Sequence, residues 1–120
     1  MSVTILLVED HHVLRRTLRG WLEVQLPGCQ ILEATTGEEA LLMAQDTPPK
    51  VVIMDIGLPG ISGLETTKHI KATIPTAKVV ILTKYEGEAY RLHAIVNGAS
   101  AYVWKDAMLT ELLPTLSALL

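Results

Sequence analysis

Short apolar runs alternate along this chain with segments of helical periodicity. Three of the runs, Val3–Val8, Val51–Met54 and residues 79–82, are rich in β-branched residues and show almost no polar alternation. Continuous runs of this kind are typical of parallel strands that are buried on both faces. A fourth segment, Cys29–Ala34, alternates and predicts a more exposed strand, and Ala101–Trp104 predicts a short fifth strand.

A segment of helical periodicity follows each of the five runs. The first has an apolar face opposite a face of arginines; the apolar face comprises Leu14, Leu18, Trp21, Leu22 and Gln25, and the arginines are Arg15, Arg16 and Arg19. The other four helices are predicted from Thr36 to just before Pro48, from Leu64 to Ile74, from Glu86 to Val96, and along a leucine stripe from Leu109 to Leu120. Proline and glycine residues mark several of the helix ends.

The alternation of strand and helix, five times over, predicts an open parallel sheet with helices on both faces and right-handed crossovers. Sites in such sheets lie at the carboxyl ends of the strands, near the switch in strand order. The polar residues that come directly after the apolar runs, or end them, are therefore the candidates for chemistry: Glu9, Asp10, Asp55, Thr83 and Lys105.

Composition narrows the class of protein. The chain has 120 residues, of which 49% are hydrophobic and 19% charged, and this predicts one folded domain. Its net charge of −3 argues against a nucleic-acid-binding surface. Its one cysteine, Cys29, excludes an internal disulfide and a cysteine-based zinc site. Because no apolar run approaches the ~20 residues that span a bilayer and no signal peptide is recognisable, we expect a cytoplasmic domain without membrane contact.

The candidate residues suggest a metal and phosphoryl site. Three carboxylates in one crevice would repel one another, and a divalent cation such as Mg²⁺, which prefers oxygen ligands, relieves that repulsion. Lys105 adds a positive charge and Thr83 a hydroxyl donor, which leaves one carboxylate to act as a nucleophile. Each residue alone has a simpler interpretation: Asp10 caps the first helix, Thr83 ends a strand, and Lys105 is a solvated lysine.

Five features, in order, resemble the receiver domain of two-component response regulators over essentially all 120 residues. They are the acidic pair Glu9-Asp10, the segment from Met54 to Gly60 with Gly63 after it, Thr83, Tyr102 and Lys105. The resemblance implies a flavodoxin-like α/β fold, with a doubly wound sheet of five parallel strands in the order 2-1-3-4-5 and five helices. It also implies a signalling switch rather than an enzyme, with autophosphorylation from small donors and autodephosphorylation.

The resemblance also assigns the reacting carboxylate and the metal ligands. Asp55 is the expected phosphoacceptor, which takes a phosphoryl group from a histidine kinase or from a small phosphodonor. Mg²⁺ is expected on the carboxylates of Asp10 and Asp55 and on the main-chain carbonyl of Gly57. Glu9 stands where an aspartate is commoner, and we expect it to reach the metal through a bound water.

The residues of the switch follow from the same resemblance. Thr83 and Lys105 are expected to bind the phosphoryl oxygens, after which Thr83 moves and Tyr102 turns inward. This would change the surface of helix four, strand five and helix five. Lys84 departs from the small residue that is common after the threonine. Its ammonium either lies in water or tunes access to Asp55, in which case Lys84→Ala changes the phosphorylation or dephosphorylation rate severalfold.

The residues Lys105-Asp106-Ala107, with Glu9-Asp10-His11, resemble the receiver subfamily that carries a carboxyl-terminal helix-turn-helix effector. We therefore expect residues 1–120 to form the receiver domain of a transcriptional regulator whose effector lies outside this chain. DNA would be contacted only through that effector, and a cognate sensor histidine kinase is the expected partner. The alternatives are a free-standing receiver, and a receiver-like module that binds partners without phosphorylation.

The fifth helix raises two further questions. Pro114 within it removes a hydrogen bond and clashes with the preceding turn, so that we expect a kink or a late helix start. The leucine stripe of this helix, together with the arginines of the first helix, forms either a homodimer face or ordinary packing on the sheet.

Overall fold

The computed structural model describes residues 3–120, in which five strands alternate with five α-helices. The strands are β1 (Val3–Val8), β2 (Cys29–Ala34), β3 (Val51–Met54), β4 (Lys78–Thr83) and β5 (Ala101–Trp104). The helices are α1 (His12–Gln25), α2 (Gly37–Asp46), α3 (Gly63–Thr73), α4 (Glu88–Val96) and α5 (Met108–Leu119), and a 3-10 turn, Lys105–Ala107, precedes α5. None of these helices is long and apolar enough to cross a membrane.

The strands form one parallel sheet in the order β2-β1-β3-β4-β5, which confirms the predicted topology. At the carboxyl end of β1, Val8 lies between Ala34 of β2 and Met54 of β3, and Met54 pairs with Ile81 of β4. The chain therefore leaves β1 and β3 side by side at the place where the strand order reverses. In open α/β sheets, ligands bind at this place.

The sheet is covered on both faces because alternate side chains of each strand enter different cores. Leu6, Val8, Val52 and Met54 belong to the core beneath α2, α3 and α4, to which Ala40, Ala44, Ile70 and Ala94 contribute. Ile5, Leu7, Val51 and Ile53 belong to the core beneath α1 and α5, to which Leu18, Leu22, Leu112 and Leu116 contribute. Both faces of β1 and β3 are therefore apolar, as the continuous hydrophobic runs predicted.

The predicted faces of α1 and α5 need correction. Arg15, placed by periodicity on the polar side of α1, is 9% exposed and forms hydrogen bonds toward the sheet, whereas Gln25, placed on the apolar side, is exposed. The long arginine side chain reaches over the edge of the helix to polar partners, which helical periodicity does not detect. In the leucine stripe of α5, Leu109 points outward and is 78% exposed.

Two helices differ in detail from their predicted form. Helix α4 begins at Glu88 rather than at Glu86, because its N-cap, Gly87, adopts a φ of 115°, a non-helical backbone conformation that glycine tolerates and other residues rarely adopt. Pro114 lies in the middle of α5, at an exposed position, and the helix continues through it instead of starting late.

Candidate functional site

The candidate site lies where β1 and β3 end. The amide of Asp55 donates to the carbonyl of Val8 over 3.1 Å, and the amide of Glu9 donates to the carbonyl of Ala34 over 3.0 Å. Sheet hydrogen bonding thus continues one residue beyond the strands and fixes the backbone of both acidic residues. The backbone that carries these two side chains is therefore fixed by the sheet rather than by a loop.

Three carboxylates converge at this edge. Glu9, Asp10 and Asp55 each offer an oxygen, and these oxygens lie within 4.8 Å of one another. Glu9 is 2% exposed and Asp55 is 7% exposed, whereas Asp10 is exposed. The simpler interpretation of Asp10 as a helix cap does not hold, because His11 caps α1 through its Nδ1, which accepts from the amide of Leu14 over 3.2 Å.

Lys105 brings one positive charge to this cluster. Its Nζ lies 2.7 Å from Oε1 of Glu9 and 3.1 Å from Oδ2 of Asp55. Burial alone would lower the pKa of Lys105, but the hydrogen bond that its ammonium donates to Glu9 and the charges of both carboxylates raise it above its ordinary value. Lys105 is therefore charged at neutral pH, and it is a bridge between two carboxylates rather than a solvated surface lysine.

The carboxylates are only partly neutralised. Burial raises the pKa of Glu9, and the nearby charge of Asp55 adds to this effect, against the opposing influence of Lys105 and of the His11 amide. Oδ1 of Asp55 is buried and has no hydrogen-bond partner among residues 3–120. A buried oxygen without a protein donor is unfavourable, and in native structures such an atom is commonly met by a bound water or ion or has a catalytic role. A set of carboxylate oxygens around such an atom fits a hard cation such as Mg²⁺.

The segment after Asp55 is shaped by close contacts. A Cβ atom on Gly63 would lie 1.8 Å from the carbonyl oxygen of Asp55, so only glycine allows the start of α3 to pack there. A Cβ atom on Gly57 would lie 3.0 Å from the hydroxyl of Tyr85. Tyr85 therefore covers Gly57, and its ring in turn stacks on Tyr90 of α4 at a centroid distance of 5.2 Å.

The cleft has a volume of about 730 Å³. Its lining includes six of the residues predicted from the sequence, namely Glu9, Asp10, Asp55, Gly57, Lys84 and Lys105, together with His11, His12, Leu14 and Tyr85. Lys84 is exposed at the rim. The structure thus groups the acidic residues, Lys84 and Lys105 around one opening.

The two residues expected to switch, Thr83 and Tyr102, lie outside the lining of this cleft. Thr83 is fully buried at the end of β4, and its Oγ1 accepts a hydrogen bond from the amide of Tyr85 over 3.3 Å. The hydroxyl of Tyr102 donates to the carbonyl of Tyr85. The main chain of Tyr85 is therefore bonded to both residues, and Tyr85 connects them to the cleft.

Sequence reasoning missed three contributors: Tyr85, His11 as the cap of α1, and Arg15. The sequence did offer a signal for Tyr85, since it is an aromatic residue two positions after Thr83. A large side chain just beyond the end of β4 lies over the carboxyl ends of the strands. Arg15 donates to the carbonyl of Glu9 over 3.1 Å. The lone carboxylate of Glu33 in β2, beside a helix with three arginines, was a signal for that contact.

Comparison with known proteins gives one consistent result. Residues 5–117 match the family model of the response regulator receiver domain. The transcriptional activator protein ExaE of Pseudomonas putida is 40% identical over 103 residues, which cover 86% of this chain and 48% of that protein. The chain spans about half the length of the curated relatives it matches.

Solved structures agree with that match. A two-component response regulator of the LuxR family from Aurantimonas sp. SI85-9A1 superposes with a TM-score of 0.91 at 36% identity, over 98% of this chain and 84% of that one. A response regulator from Burkholderia pseudomallei, solved with a phosphorylated aspartic acid, calcium ion and citrate, gives a TM-score of 0.86 at 27% identity, over 99% of this chain and 67% of that one.

Proposed function

Because this chain belongs to the response regulator receiver domain family, we propose that Asp55 accepts a phosphoryl group from the phosphohistidine of a sensor histidine kinase. The observation that supports this most strongly is the buried Oδ1 of Asp55, which has no hydrogen-bond partner among residues 3–120 although Lys105 holds the other oxygen of the same carboxylate. Lys105 thus orients one oxygen of the carboxylate, and the other has no donor in the described part of the chain.

The proposed transfer requires one bond change at phosphorus. An oxygen of Asp55 forms the new bond while the bond between phosphorus and the donor nitrogen, or the oxygen of a small donor, breaks and the electron pair leaves with the donor. The product is an acyl phosphate, whose oxygens Lys105 and the hydroxyl of Thr83 would bind. Lys105 already lies 3.1 Å from Asp55, and the hydroxyl of Thr83, which accepts from the Tyr85 amide, would donate its own hydrogen to the phosphoryl group.

Mg²⁺ fits the acidic cluster as its cofactor. We assign the carboxylates of Asp10 and Asp55 and the carbonyl of Gly57 as ligands, with Glu9 acting through water, since both oxygens of Glu9 already accept hydrogen bonds from Lys105 and from the amide of His11. When bound, the ion neutralises negative charge on the transferred phosphoryl group. Autophosphorylation from small donors and autodephosphorylation belong to the same proposal.

The output we propose is a change in the surface formed by α4, β5 and α5. Tyr85 supports this route, because its main chain is bonded to Thr83 and Tyr102 and its ring stacks on α4. In the full-length protein this surface would control a carboxyl-terminal DNA-binding effector and hence transcription, as the relation to a transcriptional activator suggests. Residues 1–120 would then be the receiver domain of that regulator, located in the cytoplasm with its kinase.

Two further parts of the proposal concern Lys84 and self-association. Lys84 would tune access of phosphodonors, since it is exposed on the rim of the cleft.

A homodimer would use an apolar groove between α1 and α5, whose lining includes Leu14, Trp21, Met108 and Leu109. The arginines contribute less to such a face than the sequence indicated, because Arg15 and Arg19 are paired with Glu33.

The test is intact-mass measurement after incubation with acetyl phosphate and Mg²⁺. We expect the wild type to gain one phosphoryl group, Asp55→Asn to gain none, and EDTA to abolish the gain. The matched control is Asp46→Asn, which alters an exposed aspartate at the end of α2 and should label like the wild type. If neither acetyl phosphate nor beryllofluoride with Mg²⁺ modifies or binds the wild type, a phosphorylation-independent binding module becomes the better interpretation.

A further inference from the structure

Arg15 makes an unusual set of contacts for a residue on the first turn of a surface helix. Its Nη1 donates to the carbonyl oxygen of Glu9 over 3.1 Å, its Nε donates to Oε1 of Glu33 over 3.0 Å, and its Nη2 lies 3.1 Å from Nδ1 of His12. The side chain is only 11% exposed. One guanidinium therefore connects the acidic pair, strand β2 and the start of α1.

Arg15 binds a part of the acidic pair that is not hydrogen-bonded to the sheet, namely the carbonyl group of Glu9. The amide of Glu9 is fixed by Ala34, and its carboxylate is fixed by Lys105 and by the amide of His11. The peptide group between Glu9 and Asp10 determines where the Asp10 carboxylate is directed, and its oxygen is the atom that Arg15 binds. Asp10 itself is exposed, and the peptide oxygen before it is held by Arg15.

The anchor is itself held in place. Glu33 accepts from Nε of Arg15 and, over 2.6 Å, from Nη1 of Arg19. Burial disfavours the charged form of Glu33, but the hydrogen bonds from Arg19 and Arg15 outweigh this effect and lower the pKa of its carboxyl. A charged Glu33 thus keeps the planar guanidinium of Arg15 oriented toward the carbonyl of Glu9, and a fork of this geometry is specific to arginine.

We propose that Arg15 is a positioning residue for the metal site, which through the carbonyl of Glu9 holds Asp10 directed into the cleft. The inference rests on the proposed function, since it concerns the affinity of the same site for Mg²⁺. Groups that orient the ligands of a metal typically change its affinity 10–100-fold when they are removed. Arg15 would then belong to the functional site although it contacts neither the metal ion nor the phosphoryl group.

The test compares two arginines that share one carboxylate. Arg15→Gln removes the bond to the Glu9 carbonyl, the bond to Glu33 and the contact with His12, whereas Arg19→Gln removes a bond to Glu33 and an ion pair with Glu23 but leaves the Glu9 carbonyl bound. We expect the Mg²⁺ dissociation constant, measured on the unphosphorylated proteins from amide NMR shifts, to rise about tenfold in Arg15→Gln. In Arg19→Gln it should stay within twofold of the wild type. Arg15→Lys keeps the charge but lacks the fork, and a rise of at least threefold is expected.

Labelling by acetyl phosphate adds a second readout that a loss of stability alone would not produce. For Arg15→Gln, the Mg²⁺ concentration that gives half-maximal rate should rise about tenfold, while the rate at saturating Mg²⁺ stays within twofold of the wild type. If Arg15→Gln does not fold, the Mg²⁺ dissociation constant and the Mg²⁺ dependence of labelling are measured on Arg15→Lys instead, and they test the proposal in the same way.

The outcomes separate the two proposals. If the wild type does not bind Mg²⁺, the proposed function fails together with this inference. If the wild type binds Mg²⁺ and the Arg15 variants bind it equally well, only the positioning role is overturned. Equal losses in the Arg15 and Arg19 variants would also overturn it, because they would indicate a general loosening of α1 on β2.

Discussion

Two charged clusters lie on either side of strand β1, and they differ in their ratio of cations to carboxylates. The cleft cluster consists of Glu9, Asp55 and Lys105, in which one ammonium group lies between two carboxylates. The arginine cluster consists of Arg15, Arg19 and Glu33, in which two guanidinium groups bind one carboxylate.

The consequences for ionisation are opposite. In the cleft cluster, burial and the second carboxylate raise the pKa of Glu9. In the arginine cluster, burial acts in the same direction, but the hydrogen bonds from Arg19 and Arg15 prevail and lower the pKa of Glu33. The cleft cluster therefore carries negative charge that its own residues do not neutralise, and the arginine cluster does not. Burial and charge balance act together in this difference: Glu9 is the more buried carboxylate and shares one cation with Asp55, whereas Glu33 is less buried and binds two cations.

The largest expected effect follows from removal of the single cation of the cleft cluster. In buffer with EDTA, Lys105→Ala should lower the free energy of unfolding by about 3 kcal/mol, because it leaves two buried carboxylates without a counter-charge. Saturating Mg²⁺ should restore more than half of this loss, since the ion would replace the missing charge. Urea unfolding with and without Mg²⁺ measures both values. A loss that is the same in EDTA and in Mg²⁺ would contradict the idea that the cluster lacks a cation.

A slightly smaller effect concerns the wild type itself. Mg²⁺ at 100 times its dissociation constant should raise the free energy of unfolding by about 2.7 kcal/mol. Arg19→Gln should lower the baseline by less than about 1 kcal/mol, because this arginine is partly exposed, and it should keep the full gain from Mg²⁺. Asp55→Asn should lose most of the gain. If Arg19→Gln lost the stabilisation by Mg²⁺ and Asp55→Asn kept it, the cleft cluster would not be the one that binds the cation.

The smallest expected effect is a difference in pH dependence between Glu9→Gln and Glu33→Gln in EDTA. The raised pKa of Glu9 means that the folded wild type binds this proton more tightly than the unfolded chain, so the wild type should gain stability relative to Glu9→Gln as the pH falls toward 4.5. The lowered pKa of Glu33 has the reverse consequence. Its contribution is complete above pH 4.5 and should be lost as the pH falls further. Urea unfolding at several pH values above and below 4.5 measures how the stability difference between the wild type and each variant changes with pH. If this difference changes in the same direction for Glu9→Gln and Glu33→Gln, the opposite pKa shifts of the two carboxyls are refuted.

The three central strands could be predicted from the sequence because β1, β3 and β4 are continuous apolar runs that end at, or are followed by, a polar residue. Val8 is followed by Glu9 and Met54 by Asp55, and in a parallel sheet such ends meet at one edge. The order of the strands came from the resemblance to receiver domains, and the structure confirms it. The roles assigned to Asp55 and its neighbours remain predictions that the phosphorylation experiment tests.

What the sequence could not provide depends on long side chains and on contacts between distant segments. Arg15 and Glu33 are 18 residues apart and lie on different elements, so helical periodicity placed the arginine on the solvent side. The overhang of Tyr85 above Gly57 depends on the exit angle of the chain from β4 and on stacking with Tyr90. No local pattern of hydrophobic and polar residues carries that information.

Oδ1 of Asp55, which has no hydrogen-bond partner among residues 3–120, has a consequence for how this protein responds to artificial selection. Its burial beside a second carboxylate lowers the stability of the metal-free state, so substitutions that neutralise Asp55 relieve a local repulsion. Directed evolution that rewards heat resistance alone is therefore expected to enrich chains that fold well and have lost the ability to signal. A screen for robust variants of this domain needs a simultaneous requirement for phosphorylation.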